Sequence, residues 1–168
     1  MMIIFKRLPI LILILSLFLF LPKLLKGQDI NKQVVSLIYN PKADAHFDLK
    51  VAKEHATKSK KNIIIFVGGN WCIWCKRLDQ FLNNDIKLKQ ALGNYEVMHI
   101  NYSKENKNEA ILNTLNNPQQ FGFPVIVILN QKGEYLHTQN TGDLENGNSY
   151  SVEKITAFLN NWNNINHK

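Results

Sequence analysis

Only two of the 168 residues are cysteine, and both fall in a single Cys-x-x-Cys, Cys72 and Cys75. A scaffold stapled by several disulfides is therefore excluded within this chain. A stabilising bridge normally closes a long loop, and one spanning two residues closes almost none. Zinc is poorly served as well, because a Cys-x-x-Cys is half a site and two further ligands are needed. The histidines, His46, His55, His99, His137 and His167, show no paired ligand spacing. A zinc half-site and an inert disulfide stand as rival readings of the pair. No metal or other cofactor is expected.

Surplus charge is also missing once the first residues are set aside. The whole chain carries +7, but Lys6, Arg7, Lys23 and Lys26 lie in residues 1–27, which leaves 16 basic against 13 acidic residues beyond them. A net +3 is an ordinary solvated surface and makes no case for nucleic acid. Long apolar runs are scarce too. The one from Leu8 to Leu21, broken by Pro9 and Ser16, is shorter than the roughly 20 residues that span a bilayer comfortably. Preceded by Lys6 and Arg7, it has the layout of a secretory signal peptide over 1–27, with Gly27 as the small residue before a cut. An uncleaved N-terminal anchor is the alternative. No cysteine lies near its end, so lipid modification is not indicated. Export to the periplasm or the exterior is expected, where stray thiols would be a liability.

What is present reads as one domain. Residues 28–42 form a polar lead-in ending near Pro41, and the domain is expected over 43–165. Ala45, Phe47, Leu49, Val51, Ala52, His55 and Ala56 fit a helix, imperfectly, to about Ser59, with Lys58, Lys60 and Lys61 at its end. Asn62 to Val67 is an apolar, β-branched run that suits a strand buried on both faces. A helix from Cys72 to Leu82 is broken by Asn83-Asn84, and a short one with Ile86, Leu88 and Ala91 follows. Tyr95–Ile100 is a strand, 106–116 a helix, Val125–Leu129 a strand, Glu134–Gln139 its antiparallel partner, and Ser151–Trp162 a last helix capped by Ser151. This order predicts an α/β fold, a mixed central sheet flanked by helices on both faces. The many asparagines look compositional.

A Cys-x-x-Cys where a buried strand runs into a helix has a definite chemistry. The first sulfur meets the unpaired N–H groups and the positive end of the helix dipole. Its thiol falls from about 8.5 toward about 7 or lower, so thiolate is available at neutral pH. The second lies one turn deeper. Cys72 is thus the attacking thiol and Cys75 the resolving one.

Trp71-Cys72-Ile73-Trp74-Cys75-Lys76 after a hydrophobic strand, with Pro124 some fifty residues later before another strand, resembles the thioredoxin superfamily. The block from Gly68 to Asp79 is similar to its exported members, and to the C-terminal thiol domain of the transmembrane thiol:disulfide interchange reductase. The resemblance covers about residues 45–165 and implies a thioredoxin-like fold. It matches Trp71 to the tryptophan shielding the disulfide, and Pro124 to a cis-proline beside which substrate backbone docks, with Phe123 preceding the cis bond. Proline is where a cis bond is to be sought. The family's buried acid six residues before the nucleophile is replaced by Phe66. Asp79, one turn beyond Cys75, is the nearest substitute and otherwise a surface charge. Trp74 is either a substrate contact or packing.

The expected function is dithiol–disulfide exchange through Cys72 and Cys75 on protein or small-thiol disulfides, on the reducing side outside the cytoplasm, by a monomer recharged by a membrane electron donor. A non-catalytic binding module or chaperone is the alternative.

Overall fold

A computed structural model describes residues 37–163. The expected leader, most of the lead-in and the tail beyond 163 lie outside the described residues. Helix α1 (Ala45–Ser59) starts where the Asp44 side chain accepts the backbone N–H groups of His46 and Phe47, at 3.0 and 3.1 Å. It stops at Lys60, whose φ of 57° is left-handed. Strand β1 (Asn62–Gly68) follows, then α2 (Ile73–Asn84), α3 (Ile86–Leu92), β2 (Tyr95–Asn101) and α4 (Glu109–Thr114). A 3₁₀ turn over Pro118–Phe121 leads to β3 (Val125–Leu129) and β4 (Tyr135–Asn140). After a second 3₁₀ turn, a small hairpin of β5 (Glu145–Asn146) and β6 (Ser149–Tyr150) precedes α5 (Val152–Trp162).

The main sheet has the order β2-β1-β3-β4, with β1 parallel to β2 and antiparallel to β3, and β3 antiparallel to β4. The mixed α/β sheet flanked by helices is therefore the observed fold. β1 is central and every one of its residues is buried. Ile63, Ile65 and Val67 face a layer closed by α1 and α4, while Ile64 and Phe66 face one closed by α2, α3 and α5. Strand alternation makes one sequence serve two cores.

Three boundaries differ from expectation, each for a local reason. α2 runs through Asn83 because that side chain donates to the Asp79 carbonyl (2.9 Å) and carboxylate (3.2 Å), within the helix rather than against it. Asp85 then caps α3, accepting from the N–H groups of Lys87 and Leu88 at 2.8 and 3.0 Å. α4 is shorter than the expected 106–116. Asn108 donates to the Asn101 carbonyl (2.7 Å), Asn101 donates to the Asn106 carbonyl (2.8 Å), and Asn116 and Asn117 end the segment at φ 64° and 53°. Asparagine tolerates that left-handed region better than most residues. In α1 the buried stripe is Ala45, Ala52 and Ala56, with Phe47 exposed, which explains the imperfect apolar pattern.

Candidate functional site

β1 delivers the chain to Gly68-Gly69 in the sheet centre, and the backbone turns at once into α2. The Tyr102 N–H donates to the Gly68 carbonyl, and the Cys72 N–H to the Gly69 carbonyl at 3.0 Å. Cys72 is the N-cap of α2, in extended conformation, and its Sγ accepts the Cys75 backbone N–H at 3.1 Å. Cys72 and Cys75 form a disulfide with 5.2 Å between their Cα atoms. An N–H aimed at sulfur from the first turn of a helix stabilises a thiolate there once the bond is reduced. Cys75 is deeper, at 1 % exposure against 5 % for Cys72.

The rim around the sulfurs is aromatic. Trp71 is 60 % exposed, its indole N–H donating to the Tyr102 carbonyl at 2.7 Å and its ring meeting Phe123 edge-on at 5.6 Å. Phe123 also packs on Tyr102 with centroids 4.7 Å apart. The Phe123–Pro124 peptide bond is cis, and the Pro124 carbonyl accepts from the Thr141 hydroxyl. Ile73 projects into solvent. Trp74 is half-buried. It meets Tyr150 edge-on at 5.6 Å and carries the Arg77 guanidinium 4.7 Å above its ring.

Three residues that sequence reasoning passed over complete the site. Tyr39 is 2 % exposed and packs against both cysteines. Asn70 fixes it, accepting the Tyr39 N–H at 3.2 Å and donating to the Tyr39 carbonyl at 2.6 Å. A Cβ added at Gly68 would stand 2.6 Å from the Cys75 Sγ and 2.9 Å from the Tyr39 Oη, so both atoms crowd one point beside β1. His99 is paired in register with Phe66, stacks on its ring at 5.3 Å and 22°, and meets Tyr39 edge-on at 5.5 Å. Asn70 lies within the Gly68–Asp79 block, but Tyr39 and His99 sit in no motif. The available signal was weak: an imidazole at every second position with Tyr95 and Val97, on a strand that had to face either core.

Behind Cys75 lies a cavity of about 400 Å³, walled by Tyr39, Phe66, Cys75, Asp79, Tyr95 and His99 among others. Asp79 is half-buried and lines the same cavity as the deeper sulfur. Burial lowers the His99 pKa from its ordinary value, and the Asp79 charge partly opposes this. Burial likewise raises the Tyr39 phenol, and Asp79 adds to that shift. Among the described residues, no three His, Cys, Asp or Glu side chains are grouped to hold a metal ion.

Comparison with known proteins agrees with this geometry. Residues 44–131 match the family model described as thioredoxin-like. The thiol:disulfide interchange protein DsbD of Campylobacter jejuni is 30 % identical over 136 residues, covering 78 % of this chain and 24 % of that protein. The chain thus spans about a quarter of the length of that curated relative. A solved disulphide isomerase from Xylella fastidiosa superposes with a TM-score of 0.67 at 27 % identity, over 76 % of this chain and 97 % of the other. The C-terminal domain of Neisseria meningitidis DsbD in the reduced form superposes with a TM-score of 0.51 at 17 % identity, over 74 % and 99 %, a likeness of fold alone.

Proposed function

We propose that this chain, which belongs to the thioredoxin-like family, is a thiol–disulfide oxidoreductase that acts as a reductant outside the cytoplasm. The observation that carries the reading is the Cys72 sulfur at the N-terminus of α2, bonded to Cys75 and accepting the Cys75 N–H. Cys72 attacks a substrate disulfide as thiolate, and Cys75 resolves the mixed disulfide. Trp71, Phe123 and Pro124 form the shelf on which extended substrate backbone docks, and Trp74 borders it from the α2 side. The substrates are proteins or small disulfides, and a membrane thiol protein returns the electrons, as the likeness to an interchange protein suggests. The leader reading supports export. The chain works as a monomer.

The reducing direction follows from what surrounds the sulfur. Ile73 and Trp74 put no charge between the cysteines, and Arg77 is exposed and directed over the Trp74 ring. The thiolate therefore gains the helix terminus and little else, so the dithiol is not stabilised as in a strong oxidant. Equilibration against glutathione or dithiothreitol buffers, read by alkylation, is expected to give a potential of roughly −200 to −270 mV. A value above about −150 mV would place the protein among the oxidants and overturn the direction.

Asp79 serves the resolving step in this reading. Asp79→Asn is expected to slow resolution of a mixed disulfide about threefold to tenfold while barely moving the thermal midpoint. Single-turnover kinetics unchanged across neutral pH would return Asp79 to a surface charge.

A further inference from the structure

Cys75 must lose a proton when it attacks the mixed disulfide, and at 1 % exposure its sulfur does not hand that proton straight to bulk water. The strand position beside it carries Phe66, which cannot accept one. Among the described residues, the titratable groups besides Cys75 that line this cavity are Tyr39 from the segment before α1, Lys61 just before β1, Asp79 on α2, Lys89 on α3, and Tyr95 and His99 on β2.

Most of these are already committed. The Tyr95 hydroxyl donates to the Leu159 carbonyl, and the Lys61 ammonium donates to the Gly93 carbonyl at 2.7 Å. Burial raises both phenols, so Tyr39 and Tyr95 keep their protons at neutral pH. A lysine ammonium has no lone pair with which to accept a further proton. An imidazole is the side chain whose ordinary range spans the working pH. Here it stacks on the ring of Phe66, and its edge-on partner is Tyr39, whose hydroxyl lies beside the Cys75 sulfur.

We propose that His99, reached across this cavity, accepts the Cys75 proton during resolution, and that Asp79 on the α2 wall stabilises the imidazolium so formed. The inference rests on the exchange reading above. In the step, the Cys75 sulfur bonds to the Cys72 sulfur, the bond from Cys72 to the substrate sulfur breaks, and its electron pair leaves on the substrate thiolate. The proton moves from Cys75 to the imidazole nitrogen and then to the departing thiolate or to water. Two protein thiols are oxidised and one substrate disulfide is reduced, which balances.

The sign of the pH dependence follows. The base must be neutral, and burial favours the neutral form. The resolving rate should therefore rise with pH through a midpoint below the ordinary histidine value of about 6.5, and then level until the thiol ionises unaided.

Stopped-flow mixing of the reduced full chain with dithiobis(nitrobenzoate) separates the two steps. Cys72 releases the first thionitrobenzoate and Cys75 the second. In both His99→Phe and His99→Gln, the second phase at neutral pH should slow about tenfold or more and lose its lower inflection, since general-base help is withdrawn. The first phase should stay within about twofold. A second phase that keeps its rate and its inflection in His99→Gln overturns the proposal. Absence of the second phase in the wild-type chain would instead overturn the Cys72–Cys75 assignment.

Discussion

Cys72→Ser is expected to reduce turnover of a protein disulfide such as insulin to the level of buffer, whereas Cys75→Ser should still attack and then stall. The asymmetry comes from α2. Position 72 is the cap, where the sulfur accepts the Cys75 N–H, and a serine hydroxyl there would cap the helix equally well but offers no nucleophile at neutral pH. Fold and stability should therefore survive the loss of chemistry. In Cys75→Ser the Cys72 thiolate keeps its backbone donor, so the first step persists and mixed disulfides accumulate, recoverable as covalent adducts. Mass spectrometry of the adducts after a single mixing decides the matter. Adducts on Cys75 in the Cys72→Ser chain, formed as fast as those on Cys72 in its counterpart, would reverse the roles.

Gly68→Ala should press a single methyl directly onto the redox pair. The new Cβ would lie 2.6 Å from the Cys75 Sγ and 2.9 Å from the Tyr39 Oη, and neither neighbour can retreat freely. Cys75 is locked into α2 by its disulfide, and Tyr39 is held through both backbone groups by Asn70. Overpacking of this kind costs about 1–3 kcal/mol. It should fall harder on the disulfide form, because a free Cys75 thiol can rotate away while a bonded one cannot. The expected result is a lower thermal midpoint together with a potential shifted to less negative values. Gly142→Ala is the control, since its Cβ would come no closer than 3.3 Å to a side-chain oxygen of Asn140. Equal potentials for the Gly68→Ala and wild-type chains would show that the contact relaxes without reaching the sulfur.

The cysteine pair, its helix and the buried strands were legible in the sequence because their signals are local. Ile63 to Val67 and Val125 to Leu129 are apolar at consecutive positions, which burial on both faces explains. Trp71 to Asp79 carry motif and helical spacing in one short stretch. Tyr39 and His99 were not legible for the opposite reason. Tyr39 reaches the sulfurs from a segment that reads as a polar lead-in, and His99 reaches Phe66 through strand pairing, which residue patterns do not specify. The asparagines were misjudged as compositional. Asn70, Asn101, Asn106 and Asn108 instead cross-link loops through backbone partners. Their amides supply hydrogen bonds where the chain leaves regular structure, a duty that composition alone does not reveal.

The central place of β1 bears on how the chain acquires its structure. Its hydrogen-bonding partners, β2 and β3, both come later in sequence, and β3 begins only at Val125. The thiols therefore emerge from synthesis well before the sheet that will bury them can close, and such non-local pairing is slow. A chain with many cysteines would be exposed to scrambled isomers in that interval. With two cysteines three residues apart, the sequence of residues 1–168 offers a single internal pairing, and it is the one the structure shows. Oxidation and folding can then proceed in either order, and an isomerase has nothing to correct.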